Sequence, residues 1–475
     1  MIITEALKGA SVTYLRRKKM RYTVTFPERH YNQLCRHLFS DDSVEQAAIV
    51  FCKKSVTANE TRLLVKEIRP ITPNEVLEQS PLNIRVPVEV YSQGFQKAAK
   101  EGYCFVWVHS HPGGFLEYSE EDNREEPELM RPAYIRVPGQ VHGSLLMNSP
   151  DGITGRVWLQ DPGRGVFPVQ LDTIRVLGAQ YKYFFPVGRP ELDLSAFDRN
   201  VRAFGSAMQA LLHQLVIGVV GASGTGSPLI EQLARLVVGT ICIYDDDTLS
   251  ETNLTRIHGS TRSQVGQYKV DVMAQMIEEI GFGTRVIRYP NRINEIEVAK
   301  SLRDCDLIFG CTDDQLGRSI LSDISLRYYI PLFDMGVRID SENETLNSVL
   351  GRLTIVQPGS ACLFCLGVVN PQKIMLESKT PEERESLARE GYAPELAVAD
   401  PAVIAYTTYI ASLAVAELIN KLNGTTRELD RTGIIQDFVH QKVQISYTPK
   451  KKTCKCGQAD VIGSGDTPMF LNLVW

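Results

Sequence analysis

The sequence predicts two α/β domains in tandem, and three observations carry that expectation. The chain has 475 residues, more than one ordinary hydrophobic core organises. Residues 1–180 are dense in short β-rich runs, whereas from 197 to 475 apolar strands alternate with long helical runs. Between them YKYFFPVGRPELDLS, beginning at Tyr181, carries two prolines and no helical periodicity, so 181–196 is the expected linker.

In the first part RYTVTF, EQAAIVFC, RLLVKEI, CFVWVHS, HGSLLMN, GRVWL and FPVQLDTIRVLG read as strands of a mixed α/β domain. In the second, VIGVVG, TICIYD, TRVIRYP, DLIFGCT and PLFDMGV read as short buried strands. The stretches between them, such as PLIEQLARLVVG and KVDVMAQMIEEIG, are helical, which is the pattern of a mainly parallel sheet with crossover helices. The chain has no internal repeat and no long low-complexity segment.

With 43% hydrophobic and 23% charged residues the composition is that of a soluble globular protein. A net charge of −5 gives no reason to expect nucleic acid as a partner. The basic run from Lys450 to Lys455 is short enough to be a solvated loop. MIITEALKG at the start lacks a secretion signal, and a cytoplasmic protein is expected. Residues 402–419 approach membrane-spanning length, but Tyr406, Thr407, Thr408, Tyr409 and Glu417 make them a buried core helix, and no membrane partner is expected. Four of the ten cysteines stand in two close pairs, Cys362 with Cys365 and Cys454 with Cys456. In a reducing compartment two such pairs suggest a four-cysteine zinc site, although a lone C-x-x-C is equally a redox motif.

The strand CFVWV runs into His109-Ser110-His111-Pro112. Side chains two apart on an extended chain project to one side, so the two imidazoles form a ready pair of metal ligands. Eleven residues on stands Asp122, at the end of Ser119-Glu120-Glu121-Asp122. Alone, S-x-x-D is a helix capping box and H-x-H a weak metal signal. Together, HSHPGGFLEYSEED resembles the JAMM motif of the JAB/MPN metalloproteases, including the seven residues between the second histidine and the serine. The resemblance implies Zn²⁺ held by His109, His111 and Asp122, Ser119 bonding the oxyanion, and Glu45 of VEQAAIVFC moving the proton of the attacking water. Read by itself, Glu45 is equally a solvated helix-end residue. Family members with this set cleave peptide or isopeptide bonds after a ubiquitin-like C-terminus.

Further on, VIGVVGASGTGS places Gly221, Gly224 and Gly226 between a strand and a helix, where backbone N–H groups approach phosphates. Asp245 or Asp247 follows at the distance of a ribose-binding acid, which leaves a dinucleotide dehydrogenase open at this point. The next blocks, YDDDTLSETNLTRI, GQYKVD and GCTDD, instead resemble the ThiF superfamily of adenylating enzymes. The resemblance implies ATP and Mg²⁺ as cofactors: Asp245, Asp247 and Asn253 for ribose and phosphate, Arg256 and Lys269 for the triphosphate, Asp313 for the metal. FDRNVRAFG resembles the family's opening motif, and by that resemblance Arg199 reaches the partner protomer's site in a homodimer. The family's structural zinc corresponds to Cys362, Cys365, Cys454 and Cys456, with the second pair shortened to C-x-C. Two departures stand out: Ser223 replaces a loop glycine, and residues 370–400 contain no cysteine where thioester-forming members carry theirs. Cys242, Cys305 and Cys311 read as core residues.

The expected activity is therefore double: adenylation of the C-terminus of a ubiquitin-like β-grasp protein, and zinc-dependent processing or deconjugation of it, with a conjugating-enzyme-like protein as further partner. The alternatives are a peptide-adenylating tailoring enzyme and a non-catalytic binding module.

Overall fold

The computed structural model describes residues 20–188, 193, 195–343, 345–377, 379, 380, 382, 383, 386, 401–426, 431–467 and 469–473. The opening MIITEALKG, part of the expected linker and most of the cysteine-free 370–400 stretch lie outside the described residues.

The first half comprises β1 (Arg21–Pro27), α1 (Glu28–Leu38), β2 (Ala47–Val56), β3 (Glu60–Pro70), a small hairpin of β4 (Glu78–Ser80) and β5 (Asn83–Arg85), α2 (Val88–Glu101), β6 (Cys104–Ser110), α3 (Glu120–Arg136), β7 (His142–Ser149), β8 (Gly152–Asp161), β9 (Gly165–Gln170), β10 (Thr173–Leu177) and β11 (Tyr181–Phe184). Nine of these strands form one sheet in the order β11-β10-β1-β3-β2-β6-β7-β8-β9. All seven residues of β6 are buried, because the sheet is covered on both faces there. Tyr31, Leu34 and Leu38 of α1 pack on one face; Val90 and Phe95 of α2, with Met130 and Ala133 of α3, pack on the other.

The second half comprises α4 (Asp198–Phe204), α5 (Ser206–Leu212), β12 (Val216–Val220), α6 (Gly226–Arg235), β13 (Thr240–Tyr244), α7 (Lys269–Ile280), β14 (Arg285–Tyr289), α8 (Ile296–Ser301), β15 (Leu307–Gly310), α9 (Gln315–Tyr328), β16 (Leu332–Glu342), β17 (Thr345–Val356), α10 (Pro371–Glu377), α11 (Ile404–Leu422), β18 (Gly433–Asp437) and β19 (Lys442–Ser446). The eight strands form one sheet, ordered β14-β13-β12-β15-β16-β17-β18-β19. The first five are parallel and the rest antiparallel. Helices α6, α7 and α11 bury their apolar stripes on one face, and α8 and α9 on the other. The order reverses between β12 and β15, so the loops leaving those strands diverge and open a crevice at their carboxyl ends. Of residues 402–419, those from Ile404 onward belong to α11, with Ile410, Ala414 and Leu418 fully buried, and no described helix is long and apolar enough to cross a membrane.

One expectation is corrected. Tyr181–Phe184, assigned to the linker, is the edge strand β11, paired antiparallel with β10. The aromatic alternation is a strand signal that the following Pro186 obscured: Tyr181 and Tyr183 point into a core shared with the second sheet, whereas Lys182 is exposed.

The two halves meet through buried charge. Arg175 of β10 donates through Nε to Asp306 at 2.8 Å and through Nη1 to Glu60 at 3.0 Å. Arg62 pairs with Glu60 and also donates to the Cys305 carbonyl at 3.1 Å. Glu60, Arg62, Arg175 and Asp306 are each at most 4% exposed. The three arginines around Glu60, counting Arg21, hold its carboxyl far below the usual carboxylate range against the opposing effect of burial. Downstream of Cys456 the chain lies against β2 and β3: Asp466 accepts from the Val56 N–H at 2.7 Å, and Lys66 donates to the Ala459 carbonyl at 2.7 Å.

Candidate active sites

In the first domain β6 ends between β2 and β7 and delivers His109 and His111 to one side, as their period-two spacing requires. Their Nε2 atoms are 3.2 Å apart. Asp122 closes the set, with Oδ1 3.1 Å from His109 Nε2 and Oδ2 3.5 Å from His111 Nε2. It is placed there by the cap of α3: Ser119 accepts from the Asp122 N–H and its hydroxyl donates to Asp122 Oδ2 at 2.7 Å. The capping-box reading and the ligand reading are thus the same geometry. Four-coordinate zinc with bonds of about 2.0–2.1 Å sets neighbouring ligand atoms about 3.3 Å apart, so this donor set fits it. The two ring nitrogens and the carboxylate face one another, and His109 Nδ1 is buried without a partner among the described residues.

Glu45 precedes β2 and is 4% exposed, not a solvated helix end. Hydrogen bonds from the Glu45 N–H to Ser80 and from Gln79 Nε2 to the Glu45 carbonyl anchor its backbone on the small hairpin. Its Oε1 lies 3.5 Å from His111 Nε2, and burial pushes its carboxyl up to about 7 against the pull of His109 and His111.

Behind this site stands a cluster that carries no sequence motif. Glu126, one turn along α3 from Asp122, accepts from Arg156 Nε at 2.9 Å and Trp158 Nε1 at 3.2 Å. Arg156 also donates to Asn123 Oδ1 at 2.6 Å. Only a strand residue brought under α3 by the fold could supply that guanidinium, so no local spacing announces it.

In the second domain the crevice carries the glycine loop. Gly221 has φ of 98°, and a Cβ there would meet the Cys311 carbonyl at 2.6 Å; one at Gly226 would lie 1.9 Å from the Gly221 oxygen. Both positions require glycine. Gly224 is less demanding, with Thr407 Cγ2 3.3 Å from the built Cβ. Asp245 is a clamp for this loop: Oδ2 accepts from the Ala222 N–H at 2.7 Å and Oδ1 from the Asp247 N–H at 3.0 Å. Burial raises its carboxyl despite the nearby Lys269. Lys269, 5% exposed at the start of α7, reaches Asp247 Oδ2 at 2.6 Å, while Asp247 itself faces solvent. Asn253 is buried and its Oδ1 accepts from the Ser250 N–H at 3.2 Å. Arg256 donates to the Thr252 carbonyl at 3.1 Å and lies beside Gly224.

Asp313 is exposed on the loop after β15, two residues beyond Cys311, whose carbonyl backs onto Gly221. Glu377, not singled out from sequence, accepts from the Gln315 and Leu316 N–H groups at 2.8 and 3.0 Å at the start of α9. Arg199 is exposed on α4 and has no ionic partner among the described residues.

The cysteine pairs come together: Cys362 Sγ is 3.4 Å from Cys454 Sγ, Cys365 Sγ is 3.4 Å from Cys456 Sγ, and all four lie within 4.8 Å of one another. Four convergent sulfurs, with Cys365 also accepting from the Lys451 N–H at 3.4 Å, suit a tetrahedral thiolate site. Cys242 and Cys305 are buried in the core, and Cys311 packs at its margin.

The family model described as ThiF family matches residues 197–457, and that described as prokaryotic homologs of the JAB domain matches residues 27–148. The adenylyltransferase and sulfurtransferase UBA4 of Meyerozyma guilliermondii is 34% identical over 151 residues, 31% of this chain and 35% of that protein. The protein of the same name from Candida glabrata is 31% identical over 176 residues, 37% of this chain and 39% of its own. These matches span little more than a third of the curated relatives. The crystal structure of E. coli MccB with ATP is 17% identical with a TM-score of 0.45, covering 55% of this chain and 73% of that one. The ThiF match takes up more than half of the chain and runs from α4 through the glycine loop and the Asp313 loop to both cysteine pairs. The chain therefore belongs to the ThiF family, and it carries a domain of the prokaryotic JAB kind ahead of the ThiF unit.

Proposed function

We propose that the chain is a bifunctional enzyme: its second domain adenylates the C-terminus of a ubiquitin-like β-grasp protein at the expense of ATP, and its first domain cleaves bonds after that C-terminus. The observation that carries this reading is the convergence of His109, His111, Asp122 and Glu45 in the same chain as the ThiF-family residues Gly221, Gly226, Asp245 and Lys269.

For adenylation, the carrier carboxylate attacks the α-phosphorus of ATP and pyrophosphate leaves. The glycine loop and the start of α6 offer backbone N–H groups to the phosphates. Lys269 and Arg256 offset charge on the triphosphate, and Lys269 exchanges Asp247 for phosphate when nucleotide enters. Asp313 would hold Mg²⁺, Asp247 and Asn253 face the ribose and phosphate side, and Arg199 completes the site of a partner protomer. Asp245 acts through the loop that it clamps.

For cleavage, His109, His111 and Asp122 would hold zinc, and the chemistry it supplies is an acidified water and a polarised scissile carbonyl. Glu45 takes the proton from the attacking water and delivers it to the departing amine; a buried carboxyl 3.5 Å from His111 supports both duties. Ser119 would bond the developing oxyanion once its hydroxyl turns away from Asp122 Oδ2. Cys362, Cys365, Cys454 and Cys456 would hold a second, structural zinc.

The test is to incubate the protein with candidate β-grasp carriers, ATP and Mg²⁺ and to look for carrier adenylate by mass spectrometry. ATP–pyrophosphate exchange that requires Lys269 and Asp313 supports the reading; no exchange with any carrier removes it. The absence of cysteine between residues 370 and 400 favours a second reading, in which a short peptide is adenylated without conjugation. Exchange with peptides and not with carriers would select it.

A further inference from the structure

A cavity of about 260 Å³ lies between the two domains, walled by Arg21, Asp172, Tyr183 and Phe185 from the first and by Gln214 and Asp306 from the second. Gln214 precedes β12 and Asp306 precedes β15, so the cavity lies at the amino-terminal ends of these central strands, opposite to the glycine loop and Asp313. It is a different place from either site above.

Three side-chain donors on this wall are buried and have no partner among the described residues: Arg21 Nε, the Tyr183 hydroxyl and Gln214 Nε2. Tyr183 is only 7% exposed. The acidic acceptors nearby are engaged. Asp306 takes Arg175 on Oδ1 and the Val216 N–H on Oδ2, each at 2.8 Å, and Asp172 Oδ2 takes the Tyr22 N–H at 2.8 Å. Buried donors without acceptors are costly, and the group that relieves three of them together is an acceptor with several lone pairs. Arg21 already pairs through Nη2 with Glu60 at 3.1 Å, so what it offers here is its Nε–H, and Asp172 on the same wall disfavours a second negative charge. The ring of Tyr183 offers an apolar bed.

We propose that this interdomain cavity binds a small monocarboxylate with an apolar body, its carboxylate accepting from Arg21, Tyr183 and Gln214. Domain interfaces are favoured places for such sites, and a ligand touching both walls strengthens their contact.

The experiment titrates the full chain with benzoate, with benzylamine as the same-sized cation and with inorganic phosphate, by calorimetry and by thermal melting. Benzoate is expected to bind saturably and raise the melting temperature, with no response to benzylamine and a weaker one to phosphate. Tyr183→Phe removes only an unpaired hydroxyl, so it is expected to fold as the parent does and to bind benzoate about tenfold more weakly, a change of about 1.4 kcal/mol. Gln214→Leu deletes a second donor independently. Absence of saturable benzoate binding, the behaviour of a cavity holding water only, overturns the proposal. So does unchanged affinity in both variants, or phosphate binding as tight as benzoate.

Discussion

The guanidinium carbon of Arg156 lies 3.7 Å from the centroid of the Tyr118 ring, and the same group donates to the Asp122 carbonyl at 3.5 Å. One side chain thus ties the residue before the α3 cap to the residue three places after it. Arg156→Ala is expected to weaken zinc binding in the first domain by about 10–100-fold, the usual effect of losing an outer-shell partner. Competition with a chromophoric chelator measures it, and parent-like affinity would show that the Ser119 cap alone holds Asp122.

Two zinc ions per chain are expected by elemental analysis, one at each ligand set. His109→Ala should bring the count to one. Cys454→Ser together with Cys456→Ser should do the same from the other end, and it should also loosen the segment that docks on β2 and β3. A parent count near one that His109→Ala leaves unchanged would remove the metal from the first domain.

Glu45→Ala is expected to retain zinc while the cleavage rate falls by about two to four orders of magnitude, the range for a lost general base. Measuring both on one preparation separates proton transfer from ligand loss. An undiminished rate would move the base elsewhere.

Arg175→Ala is expected to destabilise the protein by about 3–5 kcal/mol, because it strands Glu60 and Asp306 in the interior with fewer counter-charges. Calorimetric melting checks this. An Arg175→Met variant that recovers none of the loss would confirm that stranded charge, and not lost volume, is responsible.

With no thiol between residues 370 and 400, carrier and ATP are expected to accumulate bound acyl-adenylate and no reductant-sensitive protein adduct. The mixed anhydride is already activated, so an acceptor can attack it directly while the site excludes water. A non-reducing gel run with and without reductant decides the matter. A thioester mapped to Cys242, Cys305 or Cys311 would mean that one of those side chains leaves the core to act as nucleophile.

What could be read from sequence followed how locally each feature is encoded. His109 and His111 announce themselves because a strand of period two places them together, and Ser119 and Asp122 because a helix cap has its own spacing. Gly221 and Gly226 are legible because only glycine fits their contacts. Cys362 and Cys454 pair across 92 positions, yet cysteine is rare enough for two close pairs to stand out. Glu60, Arg62 and Arg175 had no such advantage: charged residues in strands look solvated until the second sheet covers them. Arg156 and Glu126 escaped for the same reason, since the pairing is made by the fold and not by the spacing. The strand Tyr181–Phe184 was lost to the nearby Pro186, whose breaking effect begins two residues later.

The contact of Asp466 with Val56 joins positions 410 apart in sequence. On a ribosome the first sheet can pair its own strands while the second is still being made, since domains form as units in order of synthesis. Its β2–β3 hairpin nevertheless waits for residues 459–466, and the Cys362 and Cys365 pair waits for Cys454 and Cys456, before either is complete. Until that late stretch emerges, the nascent protein carries an exposed hairpin end and two unpartnered thiols. A truncated translation product would keep both, which marks it as a substrate for chaperones and proteases.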